Sequence, residues 1–163
     1  MLPSFVRPTP MTDRLYEYVL SVGLREPAAF VALREETGKL AEGEWQIAPE
    51  QGPFLAMLVQ LMGASKCLEI GTFTGMGAFA LKQARCGVLH TFDVVAWNAF
   101  NSHLTERDFA DGQMIQHLAD LADPAVFAAH KPLLESASLI FLDGPKDGVF
   151  EARLLQHLTA TGA

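Results

Sequence analysis

The chain has 163 residues, of which 50% are hydrophobic and 19% are charged, as expected of one folded domain with a substantial core. Its net charge of −7, without a Lys/Arg cluster, argues against a nucleic-acid partner and an anionic membrane surface. The apolar stretches are too short to span a bilayer, and the N-terminus does not resemble a signal peptide. The two cysteines lack metal-type spacing, so we expect a reduced, cytoplasmic protein.

Three helices are predicted before any strand. Thr12 is a suitable N-cap for a helix that ends at Gly23, and Pro27 fits the first turn of the second helix. The third helix opens at Pro53 and ends at Gly63. Its apolar residues are expected to form a face in the core: Phe54, Leu55, Met57, Leu58, Leu61 and Met62.

The pattern then changes to short strands that alternate with helices. Strands are predicted at "KCLEI", "GVLHTFDVV", "GQMIQHLAD" and "ASLIFLD", and a helix at "WNAFNSHLTERDF". This alternation predicts an α/β fold, a Rossmann-like doubly wound parallel sheet with helices on both faces. We expect one domain over 1–163, in which 49–163 form the α/β core and 1–48 form a helical preface packed on the sheet.

An acidic residue stands at the carboxyl end of each predicted strand. These residues are Glu69, Asp93, Asp120 and Asp143. In a doubly wound sheet the carboxyl ends of the strands lie along one edge, where ligands bind near the switch in strand order. The four acids therefore predict one binding site at that edge.

The first strand leads into Glu-Ile-Gly-Thr-Phe-Thr-Gly, in which Gly71 and Gly75 follow Glu69. This loop lacks the first glycine of a dinucleotide fingerprint, and its carboxylate would repel a phosphate but favour a cationic cofactor. Asp93 stands where an acid accepts hydrogen bonds from both ribose hydroxyls of a nucleoside cofactor. A ribose, no phosphate and a positive charge indicate S-adenosylmethionine. The alternative is a strand-to-helix turn that needs glycine.

Two segments resemble the class I S-adenosylmethionine-dependent methyltransferases, most closely the catechol and caffeoyl-CoA type O-methyltransferases: "PEQGPFLAMLVQLMGASKCLEIGTFTGMGAFAL" and "IFLDGPKDGVF". The resemblance implies methylation of a hydroxyl on a small-molecule acceptor. It places Glu69, Gly71 and Gly75 at the methionine end of the cofactor. It also makes Thr72 a cofactor-binding residue and assigns Asp93 to the ribose.

The resemblance also assigns roles further along the chain. Ala119 and Asp120 match a segment beside the adenine, and Asp143 counts as a cofactor-binding residue and as a ligand of a divalent cation such as Mg²⁺. Lys146 matches the general base that takes the proton of the acceptor hydroxyl. Trp45 and Ile47 are expected to cover the cofactor or the substrate. Trp97 could pack against the adenine or lie in the core.

Two departures from the family pattern stand near the end of the chain. The family has Asp-x-Asp-Lys where this chain has Asp-Gly-Pro-Lys, residues 143–146. The family also continues into a fifth strand ending in Asp-Asn, which supplies the other metal ligands, so we expect a C-terminally short chain that lacks the last strands. The fourth strand would then be an exposed apolar edge, which predicts a homodimer or another covering element.

Two other function classes stay open at this point. The chain could be a cofactor-binding or interaction domain without catalysis, which the missing Asp-Asn favours. It could also be a nicotinamide-dependent oxidoreductase, although the glycine spacing and Glu69 argue against that class.

Overall fold

The structure is a computed structural model that describes residues 9–96, 114–144 and 146–161. The strands in these ranges are β1 (Lys66–Ile70), β2 (Val88–Asp93), β3 (Met114–Leu118) and β4 (Leu139–Leu142). They form a parallel sheet in the order β3-β2-β1-β4. The chain builds outward from β1 to β3 and then crosses to the other side of β1. This switch confirms the predicted doubly wound topology.

Helices cover both faces of this sheet. Those in the described ranges are α1 (Asp13–Gly23), α2 (Ala28–Thr37), α3 (Gln51–Met62), α4 (Met76–Gln83), α5 (Pro124–Glu135) and α6 (Val149–Thr161). Successive side chains of a strand point to opposite faces, so Cys67 of β1 joins a core with α2, α3 and α4, whereas Leu68 joins a second core with α5 and α6. None of the helices in the described part of the chain has the length and apolar character needed to cross a bilayer.

Local sequence signals set several helix ends. The Thr12 hydroxyl accepts a hydrogen bond from the Leu15 N–H at 3.3 Å at the start of α1. Asp123 accepts from two backbone N–H groups at the start of α5, directly before Pro124. Gly63 ends α3 in the left-handed conformation, with φ of 59°. These ends agree with the prediction, while α3 begins at Gln51, two residues before Pro53.

The prediction that the apolar residues of α3 form a core face is largely wrong. The buried residues of this helix are Gly52, Leu55 and Val59. Leu55 and Val59 lie in the same core as Ala80 and Leu81 of α4. The remaining large side chains turn outward. Those more than 40% exposed are Phe54, Met57, Leu61 and Met62.

The N-terminal helices pack on α4 more than on the sheet itself. The rings of Phe30 in α2 and Phe79 in α4 lie 4.8 Å apart. Helix α1 has no buried residue, and its Tyr16 hydroxyl donates to Glu50 at 2.7 Å. The predicted helix at residues 97–109, including Trp97, lies outside the described residues.

Strand β4 forms one edge of the sheet described here. Its four residues pair with β1, and their side chains are only half-buried. Among the described strands none pairs with the outer side of β4. This agrees with the expectation that the fourth strand is an apolar edge.

Candidate functional site

A cleft of about 730 Å³ opens at the carboxyl ends of the strands. All four strand-end acids contribute to its wall: Glu69, Asp93, Asp120 and Asp143. The cleft has the size and the position that ligand sites have in open α/β sheets. The structure thus brings together the acids that the sequence placed along one edge.

The glycine loop between β1 and α4 forms the floor of the cleft. Gly71 has φ of 102° and Gly75 has φ of 88°, both in the region that favours glycine. A Cβ on Gly71 would also lie 2.6 Å from the carbonyl carbon of Asp143 and 2.7 Å from the nitrogen of Gly144. The glycine is therefore required because the loop passes directly against the end of β4. Gly75 caps α4 and does not itself line the cleft.

Asp93 at the end of β2 supports this loop from the side. Its Oδ2 accepts from the Phe73 N–H at 2.8 Å, and its Oδ1 accepts from the Val95 N–H at 3.1 Å. Phe73 is itself left-handed, with φ of 47°, so Asp93 stabilises a strained turn. Each carboxylate oxygen retains a second acceptor site. The Asp93 carboxylate could therefore accept the two hydroxyls of a ribose while it holds the loop.

Glu69 is a buried carboxyl group at the end of β1, with 1% of its surface exposed. Burial raises the pKa of Glu69 to about 8, and the nearby carboxylates of Asp143 and Asp93 also raise it. Hydrogen bonds from the Thr91 hydroxyl and the Ala78 N–H act in the opposite direction. Glu69 thus keeps its proton to a higher pH than an ordinary glutamate does, and shifts of this kind are frequent at functional sites.

The side chain of Glu69 lies over the first turn of α4. A Cβ on Gly77 would collide with its Oε1, so Gly77 leaves the space that the carboxyl occupies. The Thr91 hydroxyl of β2 donates to Oε2 at 2.6 Å, and the hydroxyls of Thr91 and Thr72 lie 2.6 Å apart. Glu69 and Thr91 are register partners on neighbouring strands. The loop, both strands and the helix therefore meet at one carboxyl group.

Asp143 and Lys146 form an ion pair at the opposite wall. The Lys146 Nζ lies 2.8 Å from the Asp143 Oδ1, and the lysine side chain is 74% exposed. Asp143 is held by its backbone, whose N–H donates to the Ile70 carbonyl at 2.8 Å. Lys146 reaches the cleft, as a base that acts on a bound acceptor would have to.

A divalent cation is implied by the family pattern at Asp143. Mg²⁺ requires near-octahedral oxygen coordination, whereas Asp143 is a single carboxylate already paired with Lys146. Over residues 9–96, 114–144 and 146–161, no three His, Cys, Asp or Glu side chains are grouped to hold a metal ion. The described residues do not fit a magnesium site, and a metal role of Asp143 stays a prediction.

The two residues that were predicted to lie beside the adenine, Ala119 and Asp120, occupy the loop after β3. The Ala119 N–H donates to the Asp93 carbonyl at 2.9 Å, which aligns this loop with the end of β2. The Asp120 Oδ1 accepts from the Ala122 N–H at 2.8 Å within a local turn. Both residues line the same cleft as Asp93, and their position beside an adenine stays a prediction.

Aromatic and apolar residues cover the cleft from the N-terminal side. The rings of Trp45 and Phe73 lie 6.0 Å apart, Trp45 is 65% exposed, and Ile47 is buried. All three line the cleft.

Sequence reasoning singled out Trp45 and Ile47 but missed Phe73, Gly77 and Thr91. The threonine two positions before the acid at the end of β2 was a weak signal for Thr91, since the same strand also contains His90.

With this fold and this site, comparison with known proteins defines the class. A family model described as O-methyltransferase matches residues 20–147. The chain belongs to this O-methyltransferase family.

Particular relatives give the same result. The chain is similar to caffeoyl-CoA O-methyltransferase 1 of Zea mays, at 32% identity over 93% of this chain and 62% of the relative. It is also similar to catechol O-methyltransferase domain-containing protein 1 of Mus musculus, at 40% identity over 46% of this chain and 29% of that one. The chain thus spans about three-fifths of the length of the maize protein.

Solved structures share the fold at lower sequence identity. The S-adenosylhomocysteine-bound methyltransferase PaMTH1 of Podospora anserina matches with a TM-score of 0.74 and 19% identity, over 96% of this chain and 68% of that one. An O-methyltransferase of Bacillus cereus matches with a TM-score of 0.66 and 21% identity, over 88% and 66%. These likenesses confirm the Rossmann-like methyltransferase fold.

Proposed function

We propose that this protein is an S-adenosylmethionine-dependent methyltransferase that methylates a hydroxyl group of a small molecule. The observation that carries the proposal is the cleft at the strand ends, where a glycine loop with residues of positive φ lies between two carboxyl groups. Glu69 is buried at one side of the loop and Asp93 holds the other side. Membership of the O-methyltransferase family, and the relatives named above, support the type of acceptor.

Different residues at the strand ends would contact different parts of the cofactor. The methionine end would lie against the glycine loop, with Glu69, Gly71 and Thr72 as its neighbours, while Gly75 would shape the end of the loop as the cap of α4. The ribose would bind Asp93. The adenine would lie beside Ala119 and Asp120, which are aligned with Asp93 through the backbone. No phosphate site is needed for such a ligand, in agreement with the carboxylate at the start of the loop.

The chemistry requires the chain to position two reactants. S-adenosylmethionine supplies a methyl group activated by a positively charged sulfur. The chain's contribution is proximity and in-line orientation of the acceptor oxygen, which account for a large part of the catalysis of such transfers. Lys146 would accept the proton of the acceptor hydroxyl, which requires a neutral amine and therefore an opening of its ion pair with Asp143. Trp45 would exclude water from the open side.

Ligand titration tests this proposal first. We expect the 163-residue chain to bind S-adenosylhomocysteine with a dissociation constant of about micromolar order by calorimetry, and to show no heat with NAD⁺. Transfer of a labelled methyl group from S-adenosylmethionine to a catechol, measured with Mg²⁺ and with a chelator, then reports catalysis. Binding without transfer under either condition would favour the second candidate, a cofactor-binding domain without catalysis, which the poor fit of the described residues to a metal supports. If the folded chain did not bind S-adenosylhomocysteine, the methyltransferase proposal would be wrong.

The proposal also includes an assembly and a compartment. The half-buried apolar edge of β4 favours a homodimer, because exposed apolar edges pair with other chains. Sedimentation equilibrium should then give twice the 17.8 kDa of one chain, and a single-chain mass at tens of micromolar, roughly the range where such dimers persist, would contradict it. A reducing, cytoplasmic setting fits the free thiols of Cys67 and Cys86.

A further inference from the structure

Three polar side chains form a continuous chain under the glycine loop. The Thr91 hydroxyl donates to the Glu69 carboxyl at 2.6 Å, and the Thr72 hydroxyl lies 2.6 Å from the Thr91 oxygen. A hydroxyl has one proton to donate, so when Thr91 donates to Glu69, Thr72 must donate to Thr91. All three side chains are almost completely buried. When Glu69 is ionised, the order of donors therefore runs from the loop to the carboxylate.

Thr91 differs from its two partners in its relation to the cleft. Glu69 and Thr72 both line the cleft, whereas Thr91 does not. Thr91 is completely buried and lies opposite Glu69 in the register of the two central strands. Any effect of Thr91 on a ligand must therefore pass through the residues that it holds.

We propose that Thr91 is a positioning residue for cofactor binding, because its hydroxyl holds the Glu69 carboxylate and the Thr72 hydroxyl in one fixed chain under the methionine end of the cofactor. This inference rests on the proposed function. Thr91 would stabilise the ionised form of Glu69, which is the form that attracts a cationic ligand group.

The charges that face Glu69 make this donor important. Strand β2 contributes Asp93, and the end of β4 contributes Asp143, whose partner is Lys146. The first turn of α4 contributes the Ala78 N–H and no titratable side chain. Among the described residues, the Glu69 carboxyl group thus has two carboxylates near it and accepts hydrogen bonds from two uncharged donors. Removal of either donor makes ionisation harder.

A ligand-free measurement tests the link between Thr91 and Glu69. Below pH 4.5, the ordinary value of a glutamate, both folded and unfolded chains hold the Glu69 proton. Between pH 4.5 and about 8 only the folded chain holds it, so this group's contribution to stability falls as the pH rises and levels off above about 8. Thr91→Val should raise the pKa of Glu69 further, so that the free energy of unfolding continues to fall with pH up to a higher pH than in wild type. Glu69→Gln should remove the part of the pH dependence of stability that comes from Glu69.

The matched variants separate positioning from general packing. Thr91→Ser keeps the hydroxyl and should retain the wild-type pH dependence. Thr37→Val removes another buried hydroxyl near the same loop, one that donates to Thr74 at 2.9 Å and has no contact with Glu69. Urea unfolding of each variant from pH 5 to pH 9 gives the comparison. Identical pH dependence in wild type and Thr91→Val would overturn the assignment.

Binding of S-adenosylhomocysteine gives the second readout. At pH 7 we expect Thr91→Val to lose about tenfold in affinity, and Thr91→Ser and Thr37→Val to lose no more than about twofold. The ratio of wild-type to Thr91→Val affinity should fall toward one as the pH rises toward 9, because Glu69 then ionises in both proteins. The ligand's own ionisation cancels in this ratio, and a merely loosened loop would give a constant ratio.

The outcomes distinguish this inference from the proposed function. A folded wild-type chain that binds no S-adenosylhomocysteine would overturn the proposed function and the positioning role together. Wild-type binding that Thr91→Val leaves unchanged at every pH would overturn the role of Thr91 alone. A tenfold loss with a ratio that does not vary with pH would also overturn it, because Thr91 would then act only on packing.

Discussion

Replacement of Asp93 by alanine is expected to weaken S-adenosylhomocysteine binding by about a hundredfold. The estimate corresponds to the loss of two ribose hydrogen bonds to a charged acceptor, each of about 1.5 kcal/mol. Calorimetry on the purified variant measures it. The variant should remain folded, because Asp93 is only half-buried and lies at the end of β2.

The same substitution also removes the acceptor of the Phe73 and Val95 N–H groups. A stability loss of about 1–2 kcal/mol is therefore expected, and thermal unfolding separates it from the loss of binding. Asp13→Ala, in the first turn of α1, removes an equal charge from a residue that does not line the cleft and serves as the control. If the folded Asp93→Ala protein bound S-adenosylhomocysteine with an affinity within about threefold of wild type, Asp93 would only stabilise the turn and would not bind the ribose.

The substitution Gly71→Ala should have the largest effect on stability. A Cβ at this position would collide with the backbone of Asp143 and Gly144, and the residue has φ of 102°. The neighbours are backbone atoms at the end of β4, so they cannot move aside as a flexible side chain would. We expect a loss of about 3 kcal/mol or more in the free energy of unfolding by urea.

Gly63→Ala is the matched control for this substitution. Gly63 also has positive φ, 59°, but a Cβ there would meet no atom within 4 Å. It should cost about 1 kcal/mol, the cost of the left-handed backbone alone. Equal losses in the two variants would show that the contact with β4 is unimportant and that only the backbone conformation requires glycine at position 71.

Much of the fold was readable from local signals. The alternation of strands and helices predicted the parallel sheet, and Thr12 and Gly63 marked helix ends that depend on contacts within a few residues. The apolar pattern of α3 was misleading because hydrophobicity does not specify which side of a helix meets a neighbour. That side was decided by the position of α4, whose Ala80 and Leu81 share a core with Leu55 and Val59.

The candidate site divides in a similar way. The strand-end acids were predictable because the topology of a parallel sheet brings the carboxyl ends of its strands to one edge. The Glu69–Thr91 hydrogen bond was not predictable, because it depends on the register of β1 against β2. Register between strands separated by a helix is set by the packing of the whole sheet and leaves only a weak trace in one sequence.

The burial of Glu69 also has a consequence for the stability of the protein in the cell. A carboxyl group enclosed beside two other acids is an internal weakness of the ligand-free chain, and a bound cation would relieve it. A ligand that binds only the folded state stabilises it in proportion to the logarithm of its concentration. If the proposed cofactor is that ligand, the abundance of the folded protein rises and falls with the supply of methyl donor, since unfolded chains are the ones that proteases remove.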